Sequence, residues 1–154
     1  AYYESAVNAG RVRLRPGVLA LIAEALQAGL QLAIATTTSP VNIAALLRAA
    51  MGPDWRTHFA AVGDASSAPV KKPHPQVYQQ VLRELEMPAT RCLAFEDSRN
   101  GLVAARAAGL KTIITPTSFS AHHVFDGALR VLPDLEGTTV ADLRAWHAGL
   151  AVPA

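Results

Sequence analysis

Apolar positions along this chain recur in two alternating rhythms. Pro16-Gly17 opens a helical stretch with Val18, Leu19, Ile22 and Leu26 on one face, and Gly29 stands where a left-handed residue closes a helix. Leu30 to Ala35 is then a short apolar run, the length of a strand, that stops abruptly in Thr36-Thr37-Thr38-Ser39-Pro40. Ser39 is a good N-cap and Pro40 a good first helical residue, and the helix after them carries Val41, Ile43, Ala44, Leu46 and Leu47. Phe59 to Val62 predicts a second strand, ended by Gly63-Asp64. After the loop with Lys71-Lys72-Pro73-His74-Pro75, a helix runs to about Glu86, with Val77, Tyr78, Val81, Leu82 and Leu85 on one face. Cys92 to Phe95 predicts a third strand ending in Glu96-Asp97, Ser98 starts the next helix and Gly109 ends it. Lys111 to Thr115 predicts a fourth strand. A loop, a short apolar segment at Ala128–Leu132 and a helix near 139–149 complete the chain. At the other end, residues 1–9 read as the end of a helix closed by Gly10, and 11–16 as a polar connector.

Strand and helix in regular alternation predict the α/β class: a doubly wound, Rossmann-like parallel sheet with crossover helices on its faces. Ligands of such sheets bind outside the carboxyl ends of the strands. Those ends hold Thr36, Asp64, Glu96-Asp97 and Thr115.

Composition narrows the function classes. The 154 residues suit one domain, and 51% hydrophobic against 17% charged residues suits a chain with a real core. The net charge is only +2, and Lys71-Lys72 is the sole adjacent basic pair of lysines, so no basic stripe for nucleic acid exists. No apolar run is long enough to span a bilayer and no signal peptide is visible. The single cysteine, Cys92, permits no internal disulfide and reads as a buried thiol of a cytoplasmic protein.

Three segments carry chemistry. Thr36 and Thr37 place small hydroxyls between a strand end and a helix N-terminus, where free N–H groups and a partial positive charge favour an anion, although a plain N-cap is the simpler account of this motif alone. Lys72 sits in the rigid Lys-Pro-His-Pro stretch, where a held ammonium could neutralise a phosphate or carboxylate; a solvated lysine pair is the simpler alternative. Glu96-Asp97 puts two carboxylates at the ligand-binding edge. Acids so close repel unless a cation sits beside them, and hard oxygens suit Mg²⁺, while acids at a helix start need no ligand to explain them. His74, His122 and His123 have no acid partner at set spacing, and His74 reads as loop surface. Nucleophile-elbow, P-loop and dinucleotide fingerprints are all absent.

Taken in order, Leu32-Ala33-Ile34-Ala35-Thr36, Lys72 in Lys-Pro-His-Pro-Gln-Val-Tyr, and Ala94-Phe95-Glu96-Asp97-Ser98-Arg99-Asn100-Gly101 resemble the second, third and fourth motifs of the haloacid dehalogenase-like (HAD) phosphohydrolases. The wording is nearest the CbbY-like branch, which is similar to β-phosphoglucomutase and phosphoglycolate phosphatase. The resemblance implies Mg²⁺-dependent removal of phosphate from a small sugar phosphate through an aspartyl-phosphate. It implies that Thr36 and Thr37 hold the phosphate, that Lys72 offsets charge on phosphate and nucleophile, and that Asp97, with Glu96, holds Mg²⁺. Gln76 departs from the branch, which often has Asp there.

A larger departure is the first motif, Asp-x-Asp, which supplies nucleophile and general acid in the family. It occurs nowhere in this sequence. On this resemblance residues 1–10 are the end of a helical cap and 11–154 a partial core domain, lacking its first central strand and most of the cap. The expectation is then a chain inactive by itself, working with the N-terminal part of the same protein. A non-catalytic module binding phosphate or Mg²⁺ is the alternative. A phospho-receiver domain fits poorly, because its acids precede the Thr and Lys.

Overall fold

The structure, a computed structural model, describes residues 14–149, so the expected cap helix at 1–9 and its Gly10 lie outside the described residues. Helix α1 (Val18–Gln27) starts after Gly17, whose φ of 85° is left-handed. A Cβ there would also run into the backbone of Leu135 and Glu136, so both conformation and space demand glycine. Before it, the Arg15 guanidinium donates to the carbonyls of Thr115, Pro116 and Pro133 at 3.1, 3.0 and 2.8 Å. The segment expected as a mere connector thus ties together two loops at the carboxyl edge of the sheet.

Strand β1 (Ala33–Ala35) leads to α2 (Pro40–Met51), capped by Ser39, whose hydroxyl accepts from the Asn42 amide. A 3₁₀ turn at Trp55–His58 precedes β2 (Ala61–Gly63). Phe59, expected to open that strand, closes the turn instead and packs its buried ring near Trp55. Helix α3 (Gln76–Leu85), β3 (Leu93–Glu96), α4 (Arg99–Ala107), β4 (Lys111–Ile114), the short β5 (Arg130–Val131) and α5 (Val140–His147) follow. The element order matches expectation, with strands trimmed at their ends. Helix α3 closes on a left-handed Glu86 rather than a glycine.

All strand pairs are parallel. Among the described residues the strands form two ladders, β1–β2 and β3–β4–β5, and no ladder joins β1 to β3. Helices α3 and α4 pack one face, over a core of Val77, Tyr78, Ala94, Ala104, Ala105 and Leu110. Helices α1 and α5 pack another, over Leu21, Ala25, Ile113, Leu135, Val140 and Leu143. Ile43, Leu47, Trp55 and Phe59 form a third cluster around α2.

Two expected core positions are corrected. Leu19 and Val41 are exposed, 45% and 75%, and the buried face of α1 is Leu21 and Ala25. Helix α1 is apolar nearly all round, so period alone could not choose its face. Val41 lies in the first turn of α2, one residue after Pro40. No helix among the described residues is long and apolar enough to cross a membrane.

Candidate active site

Lys72 is the hub. Its loop includes a cis Lys72–Pro73 peptide and leads directly into α3. The loop is pinned by the Val70 amide donating to Gln76 Oε1 at 2.8 Å. The Gln76 amide in turn donates to His74 Nδ1 at 3.1 Å, and His74 is exposed, as expected of loop surface. From this loop the Lys72 ammonium donates to the Ala35 carbonyl at 3.0 Å and to Glu96 Oε2 at 2.5 Å. One cation therefore fastens the end of β1 to the end of β3, the two strands that no ladder joins. Its side chain is 14% exposed and that of Glu96 8%, a largely desolvated pair in which the Coulomb attraction is far stronger than at the surface.

Tyr78 was expected as core packing on the apolar face of α3, and it is buried. Yet its hydroxyl also donates to Glu96 Oε2, and Lys72 Nζ lies 5.1 Å from the ring centroid. Burial pushes the phenol well up, and the Glu96 and Asp97 charges push it further, so Tyr78 stays a neutral donor at any ordinary pH. A tyrosine among apolar residues gives no sequence signal of such a role; only the approach of α3 to the end of β3 creates it. On the other side of Glu96, the first turn of α4 carries Gly101. A Cβ at that position would overlap the Glu96 carboxylate, so glycine leaves the room in which the acid lies.

Asp97 differs from Glu96. It is exposed, and its carboxylate accepts no hydrogen bond from any described residue. Ser98 caps α4 by accepting from the Gly101 amide at 3.2 Å. At the end of β1, the Thr36 amide donates to the Gly63 carbonyl, and the Thr36 hydroxyl accepts from the Thr38 amide at 3.1 Å while contacting the Thr38 hydroxyl at 3.1 Å. The threonine cluster thus folds back on itself beside the α2 N-terminus. Thr37 makes no side-chain hydrogen bond among the described residues, which leaves its hydroxyl available to an anion.

Asp64, at the end of β2, accepts from the Ser66 amide and hydroxyl and from the Ser67 amide. Burial by itself pushes its carboxyl up, but these hydrogen bonds outweigh burial and hold it below the ordinary 3.8. A depressed folded-state pKa gives stability that is present above the unfolded value and lost as pH falls through the folded one. Asp64→Asn is therefore expected to cost about 1 kcal/mol at neutral pH and to flatten the loss of stability below about pH 4, read from denaturant melts across pH. Cys92 does not join the site; it is half-buried rather than the fully buried thiol expected, and burial raises its thiol against the pull of Arg91.

The donor chemistry suits a hard cation. Mg²⁺ takes one or two carboxylates and completes its shell with phosphate and water. Asp97 has both oxygens available, whereas Glu96 has already given Oε2 to Lys72 and Tyr78. Among the described residues no group of three or more His, Cys, Asp or Glu is placed to hold a metal.

Comparison with known proteins places these features in context. Residues 2–109 match the model of the haloacid dehalogenase-like hydrolases. The plasmid-encoded protein CbbY of Cupriavidus necator is 51% identical over 169 residues, covering 99% of this chain and 66% of that protein. The crystal structure of CbbY from Rhodobacter sphaeroides in complex with phosphate superposes with a TM-score of 0.85 at 43% identity, over 91% of this chain and 63% of that one. A point mutant of the same protein, crystallised with xylulose-(1,5)bisphosphate, gives 0.85 at 44% identity over 90% and 62%. The chain spans less than two thirds of the length of each of these relatives.

Proposed function

The chain belongs to the haloacid dehalogenase-like hydrolases, and from that premise we propose that it supplies the phosphate-holding, lysine and metal-holding part of a phosphatase site for a small sugar phosphate. The observation that carries this reading is Lys72, held between the ends of β1 and β3 by Ala35 and Glu96. The cation sits where charge on a phosphate would have to be met.

In this reading Thr36, Thr37 and the amides at the start of α2 bind phosphate oxygens. Lys72 neutralises charge on the phosphate and on an attacking carboxylate. Asp97, and Glu96 through its remaining oxygen, would hold Mg²⁺, which when bound stabilises charge on the transferring phosphoryl group. The sugar phosphate of the CbbY complex is the model for the substrate class. The attacking carboxylate is not in this sequence, which has no Asp-x-Asp. It would come from a parallel strand between β1 and β3, pairing with the edges that face no ladder. Its oxygen would attack phosphorus as the ester P–O bond breaks, the sugar leaving as an alcohol with a proton from a general acid, and water would then hydrolyse the acyl-phosphate. Residues 1–10 belong, on this reading, to the end of a helical cap and 11–154 to the core, and catalysis occurs in the cytoplasm.

The test is phosphate release from xylulose 1,5-bisphosphate with Mg²⁺, by this chain alone and by this chain fused behind the N-terminal third of the Cupriavidus relative. No turnover alone, turnover in the fusion, and its loss in the fusion on Asp97→Asn are expected. Turnover by the chain alone would overturn the need for an added nucleophile. A folded but inactive fusion would favour a binding module without catalysis, the reading to which the missing Asp-x-Asp otherwise points.

A further inference from the structure

The loop between β4 and β5 touches the acid pair in a way that neither the sequence nor the site chemistry above uses. Ser120 is buried, 4% exposed, and its hydroxyl donates to the Asp97 carbonyl at 2.5 Å. The hydroxyl is itself set by the Thr117 amide, which donates to it at 2.9 Å. Three residues on, His123 Nδ1 accepts the Arg99 amide at 3.3 Å, in the first turn of α4. The ring is steadied edge-on against His122, with centroids 4.7 Å apart, and lies 6.1 Å from Phe125. An accepting Nδ1 places the proton of the neutral ring on Nε2.

These contacts fasten the turn on which Asp97 stands from both sides. The Glu96 carbonyl accepts from the Thr115 amide at 2.9 Å, the Asp97 carbonyl from Ser120, and the Arg99 amide gives its proton to His123. Every link is to backbone, so the turn is fixed while the Asp97 carboxylate is left without a hydrogen-bond partner among the described residues. Burying a serine hydroxyl and committing a histidine nitrogen in this way is costly unless each is satisfied, and here both are satisfied by this one turn.

We propose that Ser120 and His123 are positioning residues that aim the Asp97 carboxylate at a bound divalent cation. The inference rests on the reading of Asp97 as a metal ligand. Partners that orient a ligand without touching the metal typically change affinity by about 10–100-fold when removed.

The experiment titrates Mn²⁺ into the 154-residue chain, with the free ion read by electron paramagnetic resonance over a concentration range that reaches weak binding. Variants are Asp97→Asn, Ser120→Ala, His123→Ala and His123→Asn, the last returning an acceptor close to Nδ1. Expected are loss of binding in Asp97→Asn, about tenfold weaker binding in Ser120→Ala and His123→Ala, and recovery in His123→Asn, with melting temperatures near the parent's. If Asp97→Asn binds like the parent, or the parent binds no Mn²⁺, the metal-ligand reading fails. If Asp97→Asn loses the ion while Ser120→Ala and His123→Ala keep the parent affinity, the positioning proposal is overturned. Weaker binding that His123→Asn does not restore would overturn the role given to the His123 acceptor.

Discussion

Lys72→Met is expected to destabilise the chain by about 2–4 kcal/mol and to lower turnover in a completed site by about a hundredfold or more. Two effects oppose each other. Removing a charged group that is only 14% exposed spares its own desolvation, which favours the variant slightly. Against that, Glu96 would be left 8% exposed with a carboxylate whose only side-chain donor among the described residues is Tyr78, and the Ala35 carbonyl would lose its link to β3. An uncompensated buried charge costs far more than the pair as a whole is worth, so destabilisation wins. The residual exposure of both partners is why the lower part of the range for a broken buried pair applies. Urea melts of Lys72→Met, Glu96→Gln and the double variant would check this. The double variant should be less destabilised than the sum of the singles, because it leaves no orphaned charge. Strict additivity would mean that the pair is no structural bridge.

Gly101→Ala should be the more surprising loss. On helix propensity alone, alanine within α4 stabilises by roughly 0.5–1 kcal/mol. The added methyl, however, falls within the space of the Glu96 carboxylate. Glu96 cannot swing aside without giving up Lys72 and Tyr78, which both hold Oε2. Overpacking against a fixed group costs about 1–3 kcal/mol, so the net effect is destabilising and the propensity gain is masked. Thermal or urea melts of Gly101→Ala beside Glu96→Ala/Gly101→Ala would separate the two contributions. With the carboxylate gone, the alanine should become neutral or stabilising relative to Glu96→Ala. A stabilised single variant would show that Glu96 has another place to go. Any stability that Gly101→Ala retains should come with weaker Mn²⁺ binding, since Glu96 and Asp97 are adjacent on the same turn.

Much of this was legible in the linear sequence, because it depends on local physics. The Ser39-Pro40 and Ser98 starts announce α2 and α4 through their own backbone preferences, and the structure puts both hydroxyls on the expected amides. Short apolar runs between amphipathic stretches announce parallel strands, and polar residues directly after them fall at the ligand-binding edge whatever the packing details. Thr36, Glu96 and Asp97 were recognisable for that reason, and Lys72 for the rigid Lys-Pro-His-Pro stretch that holds it. Periodicity failed where it carried little information: α1 is apolar on most sides, and Leu19 turned out exposed.

What tertiary structure decided are the contacts between segments far apart in sequence, each set by where a helix or loop lands on the sheet. That Lys72 spans Ala35 and Glu96 follows from the approach of the α3 loop to two strand ends with no ladder between them. Tyr78 becomes polar machinery only because its ring is buried beside an acid, and Ser120 and His123 matter only because their loop crosses back over the Asp97 turn. Arg15, expected as part of a connector, gathers three carbonyls from two loops about a hundred or more residues away. A side chain's type and its neighbours in sequence determine which element it starts or ends. Its partner across the fold is set by the free energy of packing whole elements together, and no local pattern encodes that.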